Sequence, residues 1–110
     1  MTQLKERSCQ RCEGADVPYT AGQAEALMGQ LHEGWRVTED GKALRREFGF
    51  RDFYRTMGFV NALAHVANLE DHHPDLELGY NYCNVRFSTH DAGGLTEKDF
   101  ICAAKTDALA

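Results

Sequence analysis

Proline is scarce in this chain. Pro18 and Pro74 are the only two among 110 residues, which leaves little room for long unstructured linkers. No apolar run approaches the roughly 20 residues needed to cross a bilayer. Met1 to Arg11 is polar and mixed in charge, without the apolar centre of a secretory signal, so a cytoplasmic protein is expected. Basic clusters are missing too. The densest pair, Arg45-Arg46, is followed by Glu47, and the net charge is −5. Direct nucleic-acid binding draws its affinity from Lys and Arg gathered on phosphates, and this chain does not gather them. There is no internal repeat and no low-complexity segment.

Cysteine is limited to Cys9, Cys12, Cys83 and Cys102. A reducing compartment disfavours disulfides. Cys9 and Cys12 have the spacing of half a zinc site, but no second pair follows at a suitable distance. A thioredoxin-like role would need a βαβ setting, whereas this pair precedes any periodic segment. Residues 1–18 are therefore read as an N-terminal arm. Cys83 and Cys102 fall inside apolar patterns, as small core residues do.

What remains is an ordinary soluble composition, 43% hydrophobic and 26% charged. Residues 19–110 have the size of one domain, able to bury roughly two-thirds of its unfolded surface without a metal or disulfide. Thr20 and Gln23 have the capping-box spacing, Ala24, Leu27, Met28 and Leu31 recur at helical intervals, and Gly34 marks the helix end. Trp35 and Val37 alternate with polar residues, and Asp40-Gly41 signals a hairpin returning through Leu44 to Phe50. Leu44, Phe48 and Phe50 share one side of that strand; Arg45 and Glu47 take the other.

Asp52 can cap a long second helix. Its main apolar stripe reads Phe53, Met57, Val60, Ala64 and Ala67, widened by Phe59, Leu63 and Val66. So broad a surface exceeds what one sheet face needs, which points to a central helix or a subunit contact. Pro74 forces that helix to end near His72 and His73. Leu76, Leu78 and Tyr80 alternate before a turn at Asn81-Tyr82, and Val85, Phe87 and Thr89 alternate after it, leaving His90 at a strand end. Thr96, with Asp99 three residues on, caps a third helix carrying Ile101, Cys102, Lys105 and Leu109. The order αββαββα predicts an α+β domain, a four-stranded antiparallel sheet with three helices on one face.

Of the five histidines, His32 and His65 lie within helices beside polar neighbours and read as surface or packing residues. His72, His73 and His90 stand instead at element ends, where a rigid scaffold can aim catalytic groups. The residues alone leave a second reading open, since imidazoles at a helix C-terminus also meet the dipole favourably. Asp99 likewise has a sufficient structural role as the capping carboxylate.

His72-His73-Pro74, Tyr80, Ser88-Thr89-His90 and Gly94-Leu95-Thr96-Glu97-Lys98-Asp99, together with Phe50-Arg51-Asp52-Phe53, Gly58-Phe59-Val60 and Asp71, closely resemble the signature of the pterin-4a-carbinolamine dehydratase family. The resemblance covers about residues 20 to 109. It implies the same αββαββα fold and the dehydration of a 4a-hydroxytetrahydropterin, the by-product of aromatic amino-acid hydroxylases, to the quinonoid dihydropterin. It implies that His72, His73 and His90 surround the pterin. His72 and His90 would exchange protons with it and His73 would position it, while Pro74 fixes the pair and Asp99 supports the loop around His90. No metal, flavin or nicotinamide cofactor is implied. The chain departs from the family pattern at Asn68, four residues before His72, where an acidic or otherwise ionisable side chain is usual.

The same resemblance implies a homodimer or homotetramer assembled through the second helix. It also admits an interaction module, of the kind that stabilises transcription-factor dimers, as an alternative to an enzyme. A metalloprotein using the three histidines, with Cys9 and Cys12, is a further alternative. It is disfavoured because adjacent His72 and His73 do not easily face one ion from a helix end.

Overall fold

The computed structural model describes residues 4–6, 17–89 and 92–110; Cys9, Cys12 and His90 lie outside the described residues. Three helices and a four-stranded antiparallel sheet follow in the expected order: α1 Ala21–Met28, β1 Arg36–Val37, β2 Ala43–Gly49, α2 Phe53–Glu70, β3 Asp75–Leu78, β4 Tyr82–Ser88 and α3 Glu97–Asp107. The strands lie side by side as β1-β2-β4-β3. Both hairpins therefore meet along the central β2–β4 pair, where Leu44 faces Phe87, Arg46 faces Val85 and Phe48 faces Cys83.

Period-two alternation decides which face is covered. Leu44 and Phe48 of β2 and Cys83, Val85 and Phe87 of β4 are buried, and they join Phe59, Leu63, Phe100, Ile101 and Cys102 from the helices in one core. Glu47 lies exposed on the opposite face, beside half-buried Arg45, Asn84 and Arg86. Among the described residues, α2 and α3 pack on this buried face.

Arg46 breaks the pattern, being a cation on the apolar side. Its guanidinium pairs with Asp107 at the end of α3 and lies 4.1 Å over the Phe48 ring. Asp107 also accepts from the Trp35 indole N–H at 2.7 Å and the His32 backbone N–H at 2.9 Å. One carboxylate therefore fastens the α1–β1 connection and β2 to the last helix.

The helix caps stand where the sequence places them. The Thr20 side chain accepts from the Gln23 N–H and the Gln23 side chain bonds back, a complete capping box. Asp52 accepts from the Arg55 N–H at 2.8 Å. Three boundaries differ from expectation. First, α1 stops at Met28 with Gly29 as its cap, and single turns, not helix, carry Leu31 into the core. Gly34 serves another purpose, since a Cβ there would stand 3.1 Å from the Arg46 guanidinium. Second, the β3–β4 turn occupies Gly79–Asn81, and Tyr82 already belongs to β4. Its ring lies across Gly79, where a Cβ would approach to 2.2 Å.

The third difference is the rotation of α2. The buried stripe is Thr56, Phe59, Leu63 and Ala67, whereas Phe53 is 47% exposed and Ala64 faces outward. Two contacts set this rotation. The Thr56 hydroxyl bonds the carbonyls of Asp52 and Tyr80, and Phe59 packs against Phe48 and Phe50 at centroid distances of 4.6 and 5.1 Å. A further element lies within the arm, a one-turn 3-10 helix at Leu4–Glu6 that periodicity does not anticipate. Leu4 is 1% exposed in the core, and the Lys105 ammonium donates to the Lys5 carbonyl. Among the described residues, no helix is long and apolar enough to cross a membrane.

Candidate active site

The end of α2 sets the geometry of the histidine pair. Asp71 takes the left-handed conformation at φ 51°, the C-terminal position that glycine usually fills. The His72 N–H then returns to the Ala67 carbonyl, and Pro74 leads the chain into β3. This turn sends two neighbouring side chains in different directions. His72 is 9% exposed, with its ring stacked on Phe87 at 6.0 Å and 13°. His73 is exposed, and its Nε2 lies 3.0 Å from the Asn68 amide oxygen.

Asp99 gathers the buried side of the site. It is fully buried, and its two oxygens divide the work. Oδ1 meets His72 Nε2 at 2.7 Å. Oδ2 accepts from the Thr96 backbone N–H at 3.0 Å and from the Thr89 hydroxyl at 2.9 Å. Thr89 and Thr96 hydroxyls are themselves 2.9 Å apart. With Asp99 as acceptor, the protons run from Thr96 to Thr89 to Oδ2, and His72 donates from Nε2 to Oδ1. The carboxylate thus caps α3 and holds an imidazole at once.

Among the described residues, each imidazole then has one nitrogen committed and one without a partner. His72 gives Nε2 to Asp99 and keeps Nδ1; His73 gives Nε2 to an amide oxygen and likewise keeps Nδ1. A ring held in this way has a fixed tautomer and can take or give one proton at the remaining nitrogen. Of the expected site residues, His72 and Asp99 are joined directly, His73 is exposed beside Asn68 and Pro74 is half-buried. Thr89, the chain neighbour of His90, reaches the same carboxylate.

Two participants were missed in the sequence. Thr89 continues the buried alternation of Val85 and Phe87, so a hydroxyl there needs a polar partner, and that is the signal that marks it. Asn68 stands out as a departure from the family pattern; its contact with His73 follows only from the way the helix ends. Cys83 and Cys102 are core residues, as expected, and burial pushes the Cys83 thiol up, away from the reactive thiolate. Among the described residues, no three His, Cys, Asp or Glu side chains are grouped to hold a metal.

The family model described as pterin 4 alpha carbinolamine dehydratase matches residues 17–109. A Legionella pneumophila protein (strain Lens) that carries the name pterin-4-alpha-carbinolamine dehydratase is 53% identical over 106 residues, covering 96% of this chain and 94% of its own. A Nitrosomonas eutropha protein of the same name is 49% identical, covering 96% and 92%. Among solved structures, a transcriptional coactivator/pterin dehydratase from Brucella melitensis superposes with a TM-score of 0.80 at 33% identity, over 84% of this chain and 98% of that one. A pterin dehydratase-like protein identified as a RuBisCO assembly factor in the alpha-carboxysome gives 0.64 at 30% identity, over 72% and 92%. With a family match across nearly the whole folded region and relatives at about half identity, this chain belongs to the pterin 4 alpha carbinolamine dehydratase family.

Proposed function

We propose that this protein is a hydro-lyase that removes water from a 4a-hydroxytetrahydropterin, using His72, His73 and His90 as its acid–base residues. The C–O bond at C4a breaks, the departing hydroxyl takes up a proton, and a ring N–H gives one up, so the product is the quinonoid dihydropterin. A donor and an acceptor must act together. Imidazole, with an ordinary pKa of about 6.5, offers both forms near neutrality, and each such transfer is typically worth 10²–10⁴ in rate.

One observation carries this reading: the 2.7 Å contact between His72 Nε2 and the fully buried Asp99, which also holds the residue preceding His90. Capping α3 accounts for the carboxylate, but not for an imidazole held on its second oxygen. His72 would work through its remaining Nδ1, in exchange with His90, and His73 would position the heterocycle from the exposed side. The substrate arises where aromatic amino acids are hydroxylated, so recycling of the pterin for such a hydroxylase is the metabolic setting we propose, in the cytoplasm.

The test is the decay of enzymatically generated 4a-carbinolamine with and without the protein. Wild type should accelerate it, and His72→Ala, His73→Ala and His90→Ala proteins should stay folded while losing at least about 100-fold of that acceleration. Near wild-type turnover in all three variants sinks the proposal.

A second reading has its own observation. Phe53 and Tyr54, adjacent aromatics at the start of α2, are 47 and 87% exposed, a local apolar surface open to water. We read this face as the contact of a homodimer or homotetramer, to be checked by light scattering. If pterin turnover is absent but another protein binds this face stably, an interaction module is the better description.

A further inference from the structure

A cavity of about 200 Å³ opens beside the site, lined by Asp40, Lys42, Arg86, Ser88, Thr89 and Gly94 among others. It lies between the β1–β2 loop and the end of β4. Thr89 is common to both, since it lines the cavity and its hydroxyl bonds the Asp99 carboxylate that holds His72. Among the described residues the lining is unlike the rest of this acidic chain, for it sets two cations against one carboxylate.

That carboxylate is already occupied. Asp40 Oδ1 accepts from the Thr38 hydroxyl at 2.6 Å and from the Lys42 backbone N–H at 3.0 Å. These bonds, the Thr38 hydroxyl foremost, hold the Asp40 carboxyl below its usual range, with smaller help from the Arg86 and Lys42 charges. Asp40 therefore shapes the loop that presents Lys42. The cations are less committed. Among the described residues, Arg86 has a long, solvent-exposed pairing with Asp75, at 3.6 Å, and no ion pair holds the Lys42 ammonium. Ser88 adds a hydroxyl donor. Two cations and a hydroxyl converging on one small cavity suit an oxyanion with several acceptor atoms.

We propose that this cavity receives an anionic group, a phosphate or carboxylate, carried on the side chain of the pterin, so that Arg86 and Lys42 set specificity for the substrate's substituent. The assignment rests on the pterin reading above. The ring would lie against the histidines, and the substituent would extend past Thr89 toward the hairpin loop.

Titration calorimetry with two stable 7,8-dihydropterins, a 6-hydroxymethyl compound and its phosphate ester, tests it on wild type, Arg86→Gln and Lys42→Gln. In wild type the phosphate ester should bind about tenfold tighter, a modest figure for partly exposed charges. Each substitution should remove most of that advantage while leaving the hydroxymethyl compound unchanged. Equal affinities in wild type, or an advantage that survives both substitutions, overturn the proposal. Inorganic phosphate provides the third arm: it should weaken binding of the ester but not of the hydroxymethyl compound. If phosphate binds at Arg86 and Lys42 without affecting the ester, the site serves a free anion, and the side-chain assignment is wrong. Failure of both pterins to bind defeats the pterin reading itself, a result distinct from a missing phosphate preference.

Discussion

Asp99 is the residue on which the site turns, because its two oxygens serve three donors on three segments of chain. Asparagine at that position keeps the shape but replaces one acceptor oxygen by a donor, so either His72 or the Thr89–Thr96 pair loses its partner. Asp99→Asn should therefore lower kcat by about 10- to 100-fold through a misoriented imidazole while changing KM little. A purely structural role would instead lower melting temperature and leave kcat per folded molecule intact. Asn68 offers the complementary test. It holds His73 through a neutral oxygen at 3.0 Å, and a carboxylate there would favour the charged ring. Asn68→Asp should move the pH–rate profile upward, and by less than a buried pair would, because the ring is exposed. An unmoved profile would show that the His73 proton is not used in the rate-limiting step.

At the scale of elements, α2 matters most, since its C-terminus aims both histidines and its rotation fixes where they point. Thr56 is fully buried within the helix and ties it to the β3–β4 turn through the Tyr80 carbonyl at 3.0 Å. Thr56→Val preserves volume but removes that tie, at a cost of about 1–2 kcal/mol measurable by denaturant unfolding. No loss of stability would mean that Phe59 packing alone sets the rotation. This rotation is also where the helix could not be read from sequence. Phe53, Met57 and Val60 recur as regularly as Phe59 and Leu63 do, and periodicity finds an apolar stripe without saying which part of a broad one meets the sheet. The caps were legible because capping is local chemistry: Thr20, Asp52 and Thr96 each act within one turn. The return strand from Leu44 was legible for a similar reason, alternation on a half-covered sheet.

For the whole molecule, Asp107 does at the far end of α3 what Asp99 does at its start. It binds Arg46, Trp35 and the His32 backbone, groups separated by up to 75 positions along the chain. Its side chain is 19% exposed and that of Arg46 13%, so the pair is largely shielded from water. Asp107→Ala leaves a cation and an indole N–H unsatisfied beside the core, and should cost about 2–3 kcal/mol. In a chain of this length that corresponds to a fall of about 10 °C in melting temperature by calorimetry. A change under 2 °C would show that water replaces the carboxylate freely. Since α3 also carries Asp99, the same variant should lose dehydratase activity on warming sooner than wild type.

The sequence by itself determined the order of elements, the capped helix starts, the polar and apolar faces of the sheet, and the positions of His72, His73 and Asp99 at element ends. Each of these is written in spacing or in a cap of three or four residues. Tertiary structure alone decided that His72 turns inward to Asp99 while His73 turns out to Asn68, that Thr89 joins them, and that Leu4 enters the core. Those outcomes depend on partners distant along the chain and on how far each helix is rotated, and no local pattern of residues records either.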